Sequence, residues 1–377
     1  MNAVARIYIV IFLIVLYCSN INVSPASGTQ HPDVYLITDV TVDITAATAA
    51  DARRQAIELG HRKASDRLIK RLVPIGQRNL VPEIDRSELD LLIQSYSVDE
   101  ERRSAIRYIG TLRFQFRQSE VRRFLRILGV GFAETLSKPF LIIPVFETAG
   151  VKLLWDNPNP WISAWRGLPI SDGLVPLRVP NGNLLDIRDL SANQAISGNL
   201  KQLKLVANRY GSDEIIVANA SLNIDLSSGA RSISTIIRYF GGITTRAPSE
   251  FIFSLRDNEN IGGATNRVAQ SLAEKIEEDW KQKNLIRFNK LSELTTNVSF
   301  QDLTDWVNIR TRLRHIALLK AARVTSISRR HIFLNIVFYG DSDQLCIALA
   351  QQDLYLKKEK NRWLLRDLRK NKVSKRQ

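Results

Sequence analysis

Residues 291–365 read LSELTTNVSFQDLTDWVNIRTRLRHIALLKAARVTSISRRHIFLNIVFYGDSDQLCIALAQQDLYLKKEKNRWLL. Residues 291–299 read as a strand. Ser299-x-x-Asp302 reads as a capping box, and the helix it opens, 302–314, carries Leu303, Trp306, Ile309 and Leu313 inward. Strands follow at 317–328 and 332–339, with Arg329 and Arg330 at the turn. A helix over 341–351 starts at an aspartate cap, and short strands at 354–356 and 363–365 complete the unit. The order is β-α-β-β-α-β plus a terminal strand, which matches the ferredoxin-like split βαβ arrangement. That arrangement hosts many functions and identifies none.

Upstream, 138–288 reads as a second α/β module. FLIIPVF at 140–146 is a continuous apolar run of buried-strand length. Helix 199–210 and strands 214–224, 233–240 and 250–255 follow. Val268, Leu272, Ile276 and Trp280 then form one stripe of a helix over about 263–287. The first module, 27–137, reads β-α-α-β-β-α. It has a strand at 34–44 and a helix after Thr48 that carries Ala52, Ala56, Leu59, Ala64, Leu68 and Leu72 on one face. Further elements are a helix at 87–94, strands at 95–101 and 105–117 around a charged turn at 99–103, and a helix at 119–128. The fold class is therefore α+β, several small α/β modules with the C-terminal one ferredoxin-like, followed by a basic tail at 369–377.

The first 26 residues have the n-h-c pattern of a secretory signal peptide. Arg6 precedes the uncharged run IYIVIFLIVLYC, residues 7–18, and Ser24-Pro25-Ala26 offers small residues for cleavage. The run is shorter than the roughly 18 to 20 residues of a spanning helix, so retention in the inner membrane through residues 7–18 is the lesser alternative. Tyr17 disfavours a lipoprotein anchor at Cys18. Cleavage leaves Cys346 as the single thiol, which reads as a small core hydrophobe.

The 377 residues hold 45% hydrophobic and 24% charged side chains, an ordinary globular composition. No nucleophile elbow, P-loop or H-E-x-x-H motif is present. The four histidines, His31, His61, His315 and His331, form no i, i+3 or i+4 pair. No metal site or cofactor is expected. The unusual chemistry lies at 154–165, LWDNPNPWISAW, with Trp155, Trp161 and Trp165 beside Asn159 and Pro160. Indoles beside amides suit stacking on a sugar or an extended peptide, or they plug a loop onto the sheet as local core. Asp186 and Asp189 either line a cleft or cap a helix. The candidate binding residues are Trp155, Asn159, Pro160, Trp161, Trp165 and Asp186; no catalytic residue is assigned.

Several segments carry a family pattern. They are Val40-x-Val42-x-x-Thr45-Ala46 with Ala52-Arg53-x-x-Ala56, Leu141-x-x-Pro144-Val145, and Leu154-Trp155 with Asn159-Pro160-Trp161-x-x-Ala164-Trp165. To these add Leu174-Val175-Pro176-Leu177-x-Val179-Pro180-x-Gly182, the 209–213 step RYGSD and Tyr339-Gly340-Asp341. Together they resemble a bacterial family of exported proteins known only as a domain of unknown function. The resemblance implies a Gram-negative cell-envelope protein and supplies no activity or catalytic residue.

The formal net charge is +15. Residues 357–377 hold ten basic and two acidic side chains, and residues 51–130 hold 17 basic and 11 acidic. These two ends suit an anionic envelope surface. Export and the lack of a basic-aromatic RNA-binding module disfavour nucleic acid. The expected role is a non-enzymatic binding or assembly factor in the periplasm, whose partner is an unidentified envelope protein or an anionic envelope surface. The alternative is an envelope enzyme acting on a sugar or peptide at 155–189.

Overall fold

The computed structural model describes residues 33–169, 172–241, 247–286, 290–300, 302–328, 331–360 and 362–368. The expected signal peptide, the arginine turn at 329–330 and the basic tail lie outside the described residues. The class is α+β, with helices laid on separate sheets.

The first sheet is built from β1 (Leu36–Thr45), α1 (Ala49–Leu72), α2 (Arg86–Leu92), β2 (Ile93–Arg103), β3 (Arg107–Phe116) and α3 (Gln118–Ile127). Its strand order is β1-β3-β2, antiparallel throughout. The Thr48 hydroxyl caps α1, accepting from the Asp51 N–H at 3.1 Å. The apolar stripe of α1 faces the sheet, with Ala52, Ala56, Ala64, Leu68 and Leu72 buried and Leu59 partly so. The charged turn expected at 99–103 is strand instead: β2 runs on to Arg103, and the turn falls at 104–106. Cross-strand bonds hold those charges, Arg113 to Asp99 at 3.1 Å and the Tyr108 hydroxyl to Glu101 at 3.0 Å.

Helix α1 approaches the sheet closely at Gly60. A Cβ there would lie 2.7 Å from Leu112 Cδ1 and 2.9 Å from Phe114 Cζ. Both side chains are fully buried. Alanine gains about 1 kcal/mol of helix propensity and pays up to roughly 3 kcal/mol in overpacking. Gly60→Ala is therefore expected to destabilise the chain by about 1–2 kcal/mol, read as a lower urea midpoint. An unchanged or higher midpoint would mean that α1 moves off the sheet at little cost.

The second sheet comprises β4 (Phe140–Thr148), β5 (Val151–Leu153), β6 (Leu177–Arg178), β7 (Glu214–Ile224), β8 (Arg231–Gly241) and β9 (Ser249–Ser254). The order is β5-β4-β7-β8-β9, with β6 also beside β4. Strands β4 and β7 are parallel, whereas β7, β8 and β9 form an antiparallel run. Between β5 and β7 lie α4 (Pro160–Arg166), α5 (Leu184–Asp189), α6 (Ala192–Ser197) and α7 (Leu200–Arg209); α8 (Ile261–Lys283) follows β9. Both faces of β4 are covered. Phe140, Ile142 and Phe146 meet α4 and α8, while Leu141, Ile143 and Val145 meet α6 and α7. That is the physical reason for the unbroken apolar run in its sequence.

The third sheet comprises β10 (Leu291–Ser299), α9 (Leu303–Arg314), β11 (Leu319–Ile327), β12 (His331–Tyr339), α10 (Ser342–Gln351), β13 (Leu354–Glu359) and β14 (Arg362–Asp367). Its order is β11-β12-β10-β14-β13. The β11–β12–β10 half pairs antiparallel, as a split βαβ unit requires. On the other side β14, not β13, neighbours β10 and runs parallel to it, with β13 outermost. The final hairpin thus gives this sheet a fifth strand and reverses the polarity beside β10. Leu303 is not inward as its spacing suggests: it is 74% exposed at the first helical position. Asp302 itself is the cap, accepting from the Asp305 N–H at 2.9 Å.

Buried polar groups fasten the sheets to one another. Glu134 accepts from the Tyr35 hydroxyl and from Arg122. Burial, together with the Glu134 carboxylate, holds the Tyr35 phenol well above its ordinary range. Arg71 donates to the Val34 and Leu36 carbonyls at 2.6 and 2.8 Å and also binds Asp172. Lys281, 2% exposed, donates to the Lys70 carbonyl at 2.6 Å. Lys138 bridges Asp353 at 2.6 Å and Asp213 at 3.1 Å.

Candidate functional site

The tryptophan segment starts at β5 and crosses the edge of the second sheet. Asn159 is the N-cap of α4: its Oδ1 accepts from the N–H groups of Trp161 and Ile162 at 3.0 and 3.2 Å. Pro160 takes the first helical position, where its missing N–H costs nothing. The four-residue spacing then sends Trp161 and Trp165 to the same side, edge to face with centroids 5.6 Å apart. Both lie within the core under α8. Trp161 is fully buried and donates to the Ala218 carbonyl of β7 at 2.9 Å. Trp155 goes to the opposite face and donates to the Leu190 carbonyl at 2.6 Å.

Asp186 is also internal. It is the third residue of α5 and completes a capping box with Asn183. Its carboxylate accepts from the Gly182 N–H at 3.1 Å and the Tyr210 hydroxyl at 2.6 Å, and pairs with Arg209. Asp189 shares that guanidinium. Of the candidate binding residues, Asn159, Trp161 and Asp186 lie inside the chain. They are at most 2% exposed and their polar atoms are engaged inside the chain, so they offer a ligand no surface. Pro160 and Trp155 are half-buried, with the Trp155 indole N–H already committed.

Trp165 is also only 2% exposed, and differs from Asn159, Trp161 and Asp186 in bordering open space. It lines a cleft of about 570 Å3 between the 165–179 segment and α8. The cleft wall is largely apolar, from Leu168, Val175, Leu177, Val179 and Ala273. The Trp165 indole N–H is buried and has no hydrogen-bond acceptor among the described residues.

The charged groups at the rim are held by their surroundings. Glu277 accepts from the N–H groups of Leu174 and Val175 at 2.7 and 3.0 Å. The approach is so close that a Cβ on Gly173 would fall 2.4 Å from its carboxylate. Asp172 is paired with Arg67 and Arg71. Arg166 donates to the Pro180 carbonyl at 2.6 Å. Gln270 and Glu274, which bond each other at 3.2 Å on the exposed side of α8, complete the polar edge.

The spacing of Trp161 and Trp165 was enough to place both on one face of a helix. It did not distinguish the cleft from the core, because the covering helix α8 lies a hundred residues further on. The role of Arg71 was also missed. A charge between Leu68 and Leu72 on the buried stripe of α1 was its signal. Cys346 packs at the core margin of α10, and burial pushes its thiol up to about 11, away from nucleophilic reactivity. Among the described residues, no group of three or more His, Cys, Asp and Glu side chains comes together as a metal site requires.

No family model and no curated protein sequence matches the chain. Among solved structures, a lipoprotein of Neisseria meningitidis is 12% identical, with a TM-score of 0.25 over 37% of this chain and 96% of that one. Formyltetrahydrofolate deformylase of Burkholderia mallei is 9% identical, with a TM-score of 0.17 over 63% of this chain and 89% of that one. Likeness at this level bears on neither fold nor activity. Among the described residues, no helix is long and apolar enough to cross a membrane.

Proposed function

We infer that this chain is an exported, non-enzymatic binding protein of the bacterial cell envelope, and that the cleft beside Trp165 receives an apolar segment of its partner. The signal-peptide pattern of residues 1–26 and the family resemblance support the location. One observation carries the binding role: the cleft wall is apolar, while Asp172, Glu277 and Arg166 at its rim are tied to neighbouring backbone and side chains. A general acid or base must reach the proton it moves; these groups are occupied, and Glu274 stands at the exposed edge, bonded to Gln270. An apolar wall with a few fixed polar groups is the ordinary make-up of a binding pocket.

The test is a fluorescence titration with the neutral apolar probe N-phenylnaphthylamine. The intact chain is expected to bind it. Ala273→Arg and Val179→Asp, which put charge into the cleft, are expected to weaken binding by at least about tenfold, or roughly 1.4 kcal/mol, with the far-ultraviolet circular dichroism of the folded chain retained. Equal binding by both variants and the unaltered chain would contradict the assignment.

A further inference from the structure

A second groove lies in the C-terminal sheet, far along the chain from the tryptophan segment and independent of it. Its volume is about 540 Å3, and its walls are α9 and the edge strand β11. The connection at 315–318 is short, so β11 runs back along α9. Arg314 and Lys320 therefore lie at one end of the groove, and Trp306 and Ile327 at the other. Leu303, Val307, Arg310 and Arg314 follow at i, i+4, i+7 and i+11, on one face of α9. The buried face carries Ile309 and Leu313, and Leu313 also lines the groove.

This face is not ordinary solvated surface. Of the lining side chains, Ile327 and Val324 are 67% and 43% exposed, and on the adjoining face of α9 Leu303 and Val307 are 74% and 57% exposed. Large apolar side chains gathered around a groove mark an interaction site more often than isolated ones do. Arg310, Arg314 and Lys320 line the groove, and none of the three enters an ion pair among the described residues. No carboxylate lines the groove among those residues; the nearest acids on α9, Asp302 and Asp305, belong to its first turn. An occupant must therefore bring both apolar surface and negative charge.

The strand edge itself is poorly suited to adding a strand. The β11 register shifts between Leu319 and Ala321 and again between Val324 and Ser326. Bulges of this kind, with a cationic side chain on the edge, block continuous pairing. The remaining mode is a helix laid in the groove beside α9.

We propose that the α9–β11 groove binds an amphipathic helix of a partner protein, with acidic residues against Arg310, Arg314 and Lys320 and large apolar residues against Trp306, Val324 and Ile327. The measurement is fluorescence anisotropy of a labelled helical peptide, about four turns long, mixed with the full chain. The peptide carries glutamates at one end and leucines at the other on a single face. A companion peptide has lysine in place of each glutamate.

The acidic peptide is expected to bind, more weakly as salt rises, and the lysine peptide is not. Arg310→Glu with Arg314→Glu is expected to weaken binding by at least about tenfold, and Ile327→Asp by a similar factor, while thermal unfolding of each variant is unchanged. All three positions are solvent-exposed, so the fold tolerates the changes. Equal binding of the two peptides, no binding of the acidic one, or insensitivity to both variants would overturn the proposal. So would binding of phosphatidylglycerol vesicles, lost in the double variant, by a chain that ignores the peptide; that result assigns the groove to a lipid surface.

Discussion

Asp186→Ala is expected to lower the unfolding free energy by about 3 kcal/mol, the lower end of what removing one partner of a buried ion pair costs. The carboxylate is fully buried, closes the capping box of α5, and accepts from the Tyr210 hydroxyl and Arg209. Its loss leaves the hydroxyl and two backbone N–H groups without that acceptor. The cost stays below the upper end because the Arg209 side chain is 24% exposed and keeps Asp189. Hydrogen exchange should quicken first in α5 and α7, the helices that Asp186 ties together. An alanine variant with an unchanged denaturant midpoint would show that the network is not structural and would return Asp186 to the list of ligand-facing groups.

Trp161→Ala is expected to cost about 3–5 kcal/mol, the range for emptying a large aromatic site in a core. The indole is among the largest fully buried side chains, wedged between β4, β7 and α8, and its N–H satisfies the Ala218 carbonyl. Trp161→Phe should recover most of the packing and still leave that carbonyl unpaired, for a loss of about 1–2 kcal/mol. Trp155→Ala should cost less than Trp161→Ala, because Trp155 is only half-buried. Urea unfolding of the three variants gives the ranking. If Trp155→Ala proves the most damaging of the three, the wedge has been assigned to the wrong indole.

Local periodicity carried most of the secondary structure, since a strand or helix buried on one face writes that face into its residues. The strand at 34–44 and the stripe from Val268 to Trp280 show this, because both bury residues that their spacing marks. Ends and pairings were less legible. Leu303 fits the apolar spacing of α9 but lies in its first turn, beyond the reach of the sheet. The polarity of the last hairpin depends on which strand finds the open edge of β10, a long-range competition that leaves no periodic trace.

The candidate site was legible in residue type and not in role. Three indoles within eleven residues identified the segment, yet whether an indole binds or packs depends on what covers it. For Trp161 the cover is β7 and α8, both distant in sequence. For Trp165 the same helix leaves a cleft alongside. The groove against α9 was hidden for a similar reason. Its cations lie in a stretch, 131–356, that reads as close to neutral with no basic cleft, and only the topology brings Arg310, Arg314 and Lys320 together.

The binding role of the cleft is tested most directly by the indole N–H signals of a chain with nitrogen-15 in its tryptophans, recorded as N-phenylnaphthylamine is added. The Trp165 signal, assigned by its absence in Trp165→Phe, is predicted to shift with saturation, while those of Trp161 and Trp280 hold their positions because both N–H groups are bonded within the core. A Trp165 signal that stays fixed while the probe binds, or a shift of the Trp161 signal as large as that of Trp165, would contradict it.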